Sequence, residues 1–560
     1  MNRLLSLSIT LLSCVMLQAA PVDKEAAHKK AEAFLGKNVT ILSSSNRAAG
    51  LQGAPAYYVF NATDERGFVI LSSEDRLSSV IGYSYTGHMS SEENMPDALR
   101  LFLHAYQQYV EAYRTGEAND AEDVSNIFAT RRADNDNYLC KSQWGQETPY
   151  NTLCPVVDEK TCPTGCVATA LAQILYFWKW PETGAGYGTA TDKKGATHHG
   201  TLEHTYNWSA MLNTTAENAA SADAAEAVAQ LSYDCGLAVG MTYGAESSAA
   251  GTPIKALYTN FGYIPTTLRT QIRECFSSDL DWLNTIAAEI DAGRPVFESA
   301  ASATQGGEDS SGHAFIIDGY DKDGNVHVNW GWDGRYDGFF AISKMNPAGY
   351  EYTIDQAIIT GIEPAKNGET GVPVEYPYLK DAPASSHKGK IKKTVEFTIT
   401  LSNIWNMNGN SHTWNTSIGI FDTSGKMLGE VKTGRSKSIS LDSYYGIPET
   451  AAEITCKVDG AYADGDYALR AIFKESGSKD WILPDMLGGL VKNAVYIKLT
   501  GNDIEFTDGT DYITGINTVK GSSNLSAPRY YDLQGREVSG STKGLLIRRQ
   551  GDEVKKVMVK

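Results

Sequence analysis

The hydrophobic periodicity of this chain changes character at Pro364, and that break constrains the fold more than any other feature. Downstream, TVEFTITLSNIW, TWNTSIGIFD, EITCKVDG and DYALRAIFKE alternate apolar and polar residues between Gly/Asn/Asp/Ser turns. That is the pattern of half-buried strands, and a β-sandwich is expected there. Upstream, helix and strand patterns interleave: Lys24 to Leu35 is Ala-rich and helical, PAYYVFNATDERGFVILSSEDRLSSVIGYS reads as strands joined by polar turns, and ALRLFLHAYQQYVEAY reads as a second helix. A chain of 560 residues is too long for one core. The expected fold class is therefore α+β, with three or more folded units.

The first residues, MNRLLSLSITLLSCVMLQAAP, set one Arg before an apolar run that closes on Ala19 and Ala20. This is a secretory signal layout, so the mature chain is expected to begin near Pro21. Lipidation at Cys14 is the alternative, but the apolar run continues past it to Leu17, as a cleaved signal does. No later stretch approaches the roughly 20 apolar residues that cross a bilayer. The protein is expected outside the cell or at its surface, without membrane insertion after signal removal. A net charge of -18 with no Lys/Arg-dense block argues against nucleic acid and anionic membrane as partners. Seven cysteines lie beyond the signal, at 140, 154, 162, 166, 235, 275 and 456, an odd and scattered set that is no disulfide framework. Cys154 and Cys162 are close enough in sequence to be a candidate pair.

The chemistry-bearing residues lie between about Tyr138 and Pro364. In CPTGCVATALAQILYFWKWP the residues after Gly165 are helical, with Ala168, Leu171, Ala172 and Leu175 spaced to face a core, so Cys166 stands at a helix start. Unpaired N–H groups and the positive helix end favour a thiolate there. A small buried cysteine is the plainer reading of the same position. His313 leaves a Gly/Ser-rich loop, SATQGGEDSSG, and enters the apolar strand AFIIDGY, and NVHVNW is expected to pair with it. That pairing brings Asn329, Trp330 and Trp332 near the imidazole, where an amide could orient it and an indole could shield it, unless the aromatics are plain core. Gln146, in WGQETPYN, is a candidate side-chain donor to an oxyanion, although a surface glutamine is the default.

WGQETPYN, TGCVATALAQI, GHAFIIDGY and HVNWGWDGRYDGFF resemble, in order, the successive motifs of streptopain-type, papain-like cysteine peptidases. The resemblance spans about Tyr138 to Pro364, with weaker similarity of residues 21 to 132 to the inhibitory propeptides of that family. It implies a two-part papain-like fold, Cys166 as nucleophile, His313 as base, Gln146 as oxyanion donor and Trp330 and Trp332 as the wall beside the histidine. It also implies that Gly312 lines the cleft and, through TYGAESSAAGTPIKALYTNFGY, that Ser247 contacts substrate. Substrates would be proteins or peptides, with a bulky hydrophobic side chain two positions before the cut bond, and the propeptide would be an intramolecular inhibitor. No metal or organic cofactor is required by this chemistry.

Other motifs carry less. Cys162 and Cys166 have the wrong spacing for a zinc pair and no histidine nearby, DKDGN lacks the closing Glu of a calcium loop and reads as a tight turn, and GAGYG lacks the Lys and Ser/Thr of a phosphate loop. The expected organisation is a signal over 1–20, a propeptide over 21–132 ending in the charged linker ATRRADNDN, and a peptidase domain over 133–365. A β-sandwich over 366–505 and a C-terminal β module over 506–560 follow; the latter resembles C-terminal modules on exported proteins of some Gram-negative bacteria. Two alternatives remain at this point: acyl transfer to an amine by the same Cys/His pair, and an adhesin or binding protein on an inactive peptidase scaffold.

Overall fold

The computed structural model describes residues 21–44, 55–91, 94–116, 138–245, 253–302, 312–341, 354–443, 445–510 and 512, with further strands at 529–531, 537–538, 544–550 and 553–559. Signal, linker and Ser247 lie outside the described residues. The chain divides into two compact units, residues 1–375 and 376–560.

The first unit opens with helix α1 (Lys24–Leu35), whose start is fixed by the Asp23 carboxylate accepting from the Ala26 N–H at 2.8 Å and whose end is Gly36 in the left-handed conformation. Ala27, Ala31 and Leu35, four residues apart, are its buried face. Four antiparallel strands follow, β1 (Val39–Ser44), β2 (Tyr57–Ala62), β3 (Phe68–Ser72) and β4 (Val80–Ser84), and then helix α2 (Asp97–Thr115). These are the helix, strand group and second helix that the periodicity predicts.

Past the linker come the short hairpin strands β5 (Val156–Val157) and β6 (Lys160–Thr161), helix α3 (Cys166–Trp178), β7 (Tyr187–Asp192), β8 (Thr197–Thr201), and helices α4 (Thr215–Ala219) and α5 (Ala222–Ala238). After β9 (Thr242–Tyr243), helix α6 (Ile254–Thr259), β10 (Arg269–Ile272) and helix α7 (Asp279–Asp291), the chain enters β11 (Val296–Ser302), β12 (Gly312–Tyr320), β13 (Val326–Asn329), β14 (Gly338–Phe340) and β15 (Ile354–Thr360). DKDGN, between β12 and β13, is the expected turn: Asp321 Oδ1 accepts from the N–H groups of Asp323 and Asn325 at 2.9 and 2.8 Å.

One ten-stranded sheet runs through both parts of the unit, in the order β1-β2-β3-β4-β14-β13-β12-β11-β15-β10. The N-terminal domain therefore joins the rest by strand pairing, Tyr83 opposite Phe339 and Gly82 opposite Phe340. A side chain at Gly82 would begin 2.7 Å from the Phe340 ring, so a glycine is needed for this approach. Strand β12 is buried on both faces, which explains the apolar run AFII on it. Phe315 and Ile317 join a core with α2 and α7, while Ala314 and Ile316 join a second core with α3 and α5.

The second unit has the expected alternating strands. A five-stranded and a seven-stranded sheet enclose one core that includes Ile399, Leu401, Trp414, Ile420, Leu469 and Phe473. The strands at 529–559 form a separate four-stranded sheet.

Candidate active site

Helix α3 begins at Cys166 because Gly165 holds φ 87° and ψ 143°, a backbone conformation that side chains disfavour, and turns the chain sharply into the helix. Beyond its first residues the helix is buried on every side, whereas Cys166 is half-buried. The apolar faces thus lock the helix in place and leave its first residue at the surface of the core.

The Cys166 thiol and the His313 imidazole face each other closely enough that each shifts the titration of the other. His313, 6% exposed, is the second residue of β12, and its Nε2–H donates to the Trp330 carbonyl at 2.9 Å. A carbonyl only accepts, so Nε2 carries a proton and Nδ1 is left for the sulfur. Burial alone would raise the Cys166 thiol, but the facing His313 charge and hydrogen bond, helped by the N–H groups of Ala314 and Val167, outweigh it and hold the thiol below its ordinary value. Burial likewise disfavours the charged imidazole, and the Cys166 thiolate with the Trp330 carbonyl reverses the effect, so His313 titrates above its ordinary value. The two shifts favour a thiolate–imidazolium pair.

Gln146 is half-buried, and its backbone carbonyl accepts from the Thr164 N–H at 3.0 Å, which ties its segment to the residues just ahead of Cys166. Gly312 is exposed at the start of β12, opposite Ala301. Trp332 is half-buried, its ring edge-on to Tyr336 with centroids 6.4 Å apart.

Two expectations are corrected. Asn329 does not orient the imidazole: it sits opposite Ile316, three residues along β12 from His313, and its amide turns away to the Ser142 carbonyl and the Gln173 side chain. The orienting group is the next residue's backbone carbonyl. Trp330 is no cleft wall, because its side chain is 0% exposed among Phe315 and Phe340; its contribution to the site is that carbonyl. Cys154 and Cys162 are both buried and both free thiols.

Sequence reasoning missed Asp337 and Gln173. Asp337 Oδ1 accepts from the Trp330 N–H at 2.9 Å, and burial pushes its carboxyl up to about 7. Gln173 had a visible signal, a polar residue inside the apolar run ALAQIL.

The N-terminal domain grips the loop that carries Trp330 and Trp332. The His88 N–H donates to the Arg335 carbonyl at 3.0 Å, and the Tyr336 hydroxyl donates to the Asn94 carbonyl at 2.5 Å and pairs with the Ser90 hydroxyl. Tyr83 also reaches across, donating to Asp321 at 3.0 Å.

Comparison with known proteins accords with this arrangement. Residues 144–340 match the Peptidase C10 family, and residues 19–110 match the Spi protease inhibitor family. The chain is 28% identical over 542 residues to the thiol protease/hemagglutinin PrtT of Porphyromonas gingivalis, covering 90% of this chain and 59% of that protein. It is 29% identical over 388 residues to streptopain of Streptococcus pyogenes, covering 62% of this chain and 92% of the relative. Among solved structures, active interpain A of Prevotella intermedia is 35% identical with a TM-score of 0.37, covering 40% of this chain and 94% of that one. A prointerpain A fragment is 29% identical with a TM-score of 0.47, covering 57% and 99%. From the family and sequence matches, the chain belongs to the Peptidase C10 family of streptopain-type cysteine peptidases, with a Spi-type inhibitor domain ahead of its catalytic domain.

Proposed function

We propose that this protein is a cysteine endopeptidase, exported by its signal segment and made as a zymogen, that cleaves proteins outside the producing cell. The observation that carries the reading is the facing pair of the Cys166 thiol and the His313 imidazole, with Nε2 of the histidine held by the Trp330 carbonyl. The Cys166 thiolate attacks a peptide carbonyl, and the oxyanion is met by the Cys166 N–H and the Gln146 side-chain amide. His313 protonates the departing amine, which leaves a thioester on Cys166. Water, deprotonated by His313, then hydrolyses that thioester and regenerates the pair. Trp332 and Gly312 border the cleft in this reading.

The N-terminal domain acts as an intramolecular inhibitor by holding the loop 331–337 through His88, Ser90 and Asn94, and it is released after cleavage in the linker. The test is casein cleavage and self-processing by wild type and Cys166→Ala, with and without a thiol-alkylating reagent. Wild type alone should mature and digest casein. If Cys166→Ala does both equally well, Cys166 is not the nucleophile; if wild type does neither, the binding-protein alternative takes over, and cross-linked rather than hydrolysed product would mean acyl transfer to amines.

A further inference from the structure

Gln173 is the one polar residue at the centre of α3, 0% exposed between Ala172 and Ile174, and an amide placed there is costly unless its partners are supplied. It stands seven residues after Cys166, two helical turns on, so the two residues lie along nearly the same face. Its Oε1 accepts from the Trp144 N–H at 3.2 Å. Its Nε2 donates to Asn329 Oδ1 at 3.1 Å, and Asn329 Nδ2 returns a bond to Gln173 Oε1 at 3.1 Å. Asn329 Nδ2 also donates to the Ser142 carbonyl at 2.7 Å, and Asn329 Oδ1 accepts from the Gly331 N–H at 3.1 Å.

The two amides form a reciprocal pair whose sense is fixed by three backbone groups. Ser142 O can only accept, and Trp144 N–H and Gly331 N–H can only donate. Neither amide can flip without setting acceptor against acceptor or donor against donor. Through this pair, three segments meet: α3 with Cys166, residues 142–146 with Gln146, and residues 329–331 with the Trp330 carbonyl that holds His313.

We propose that Gln173, paired with Asn329, is the positioning residue that sets the nucleophile helix, the oxyanion segment and the histidine-orienting carbonyl in register. The proposal rests on the Cys166–His313 reading. Gln173 touches none of the reacting atoms, so its effect is on geometry, and displacements of about 1 Å at such a site cost on the order of a hundredfold in rate.

Two variants of the mature enzyme test it, with peptide hydrolysis, Cys166 alkylation and thermal melting followed from pH 4 to 8. In Gln173→Glu the ionised carboxylate faces Asn329 Oδ1 and lacks the donor; kcat should fall about ten- to a hundredfold at pH 7 while KM changes less than about threefold. As pH falls and the new carboxyl takes a proton, its O–H restores a donor to Asn329, and the ratio of variant to wild-type kcat should rise at least about threefold. Gln173→Leu keeps the bulk without the amide, and should lose kcat at every pH with no such recovery. Unchanged kcat in both folded variants overturns the proposal, as does a loss confined to KM. Failure of both to fold at any pH makes Gln173 a folding residue and also overturns it. Cys166→Ala separates the two readings: if that variant keeps activity, the dyad reading has failed, and if it is dead while the Gln173 variants retain kcat, only the positioning role has.

Discussion

Tyr336→Phe should loosen the hold of the inhibitor domain without touching catalysis. The Tyr336 ring is 1% exposed and would stay in place against Trp332; what the substitution removes is the hydroxyl that donates to the Asn94 carbonyl and pairs with Ser90. Each neutral hydrogen bond is worth about 1 kcal/mol net. Asn94 is exposed and Ser90 half-buried, so water can take over their freed groups, and the total stays near 1–2 kcal/mol. That corresponds to an inhibition constant weakened roughly five- to thirtyfold. The β4–β14 pairing, the His88 bond and the apolar face of α2 remain, so inhibition is weakened rather than abolished. The assay is a small peptide substrate, mature catalytic domain with or without the substitution, and a titration of the added N-terminal domain, residues 21–116. With no inhibitor, kcat and KM should agree with wild type within about twofold. An unchanged inhibition constant would refute the grip on loop 331–337, and a fall in kcat without inhibitor would show that Tyr336 serves the site itself.

Two further predictions concern buried charge. Without His313, burial dominates at Cys166 and the thiol rises above its ordinary value, so His313→Gln should slow iodoacetamide alkylation of Cys166 near pH 6 by tenfold or more; an unchanged rate would remove the ion pair from the account. Glu298 on β11 is 0% exposed with both carboxyl oxygens unpartnered, and burial pushes it from 4.5 up to about 8. Between those values the folded protein keeps a proton that the unfolded chain has lost, so stability falls as pH rises through this window, by about 1.4 kcal/mol per pH unit at most. Glu298→Gln cannot ionise, so its thermal melting point should exceed that of wild type at pH 8 and match it near pH 4; parallel pH dependences in the two proteins would exclude Glu298 as the cause.

Most of the local structure was legible because it is written in short-range patterns. The helix starting at Cys166, the strand entered at His313 and the strand NVHVNW paired with it all follow from periodicity and turn residues. Which side chain meets which partner depended on register and on packing between distant segments. The neighbouring strand brings Asn329 near the imidazole, but a register that sets it opposite Ile316 leaves the Trp330 carbonyl to orient the ring. Sequence proximity to His313 suggests a cleft wall at Trp330, yet the aromatic face made by Phe315 and Phe340 takes its ring inward. The pairing of β4 with β14 joins residues far apart in sequence, and nothing in either strand alone announces it. Gln173 was legible in principle, as a polar interruption of an apolar helix; what it binds required the fold.

The most direct test is stoichiometric labelling of the mature enzyme with iodoacetamide near pH 6, followed by peptide mapping of the thiols and assay of residual activity. Cys140, Cys154, Cys162, Cys235 and Cys456 are buried, and Cys275 is half-buried. The adduct should appear first on Cys166, activity should fall one-to-one with that adduct, and Cys166→Ala should be inactive. Activity that survives complete labelling of Cys166, or that disappears with labelling of another cysteine, would contradict Cys166 as the nucleophile.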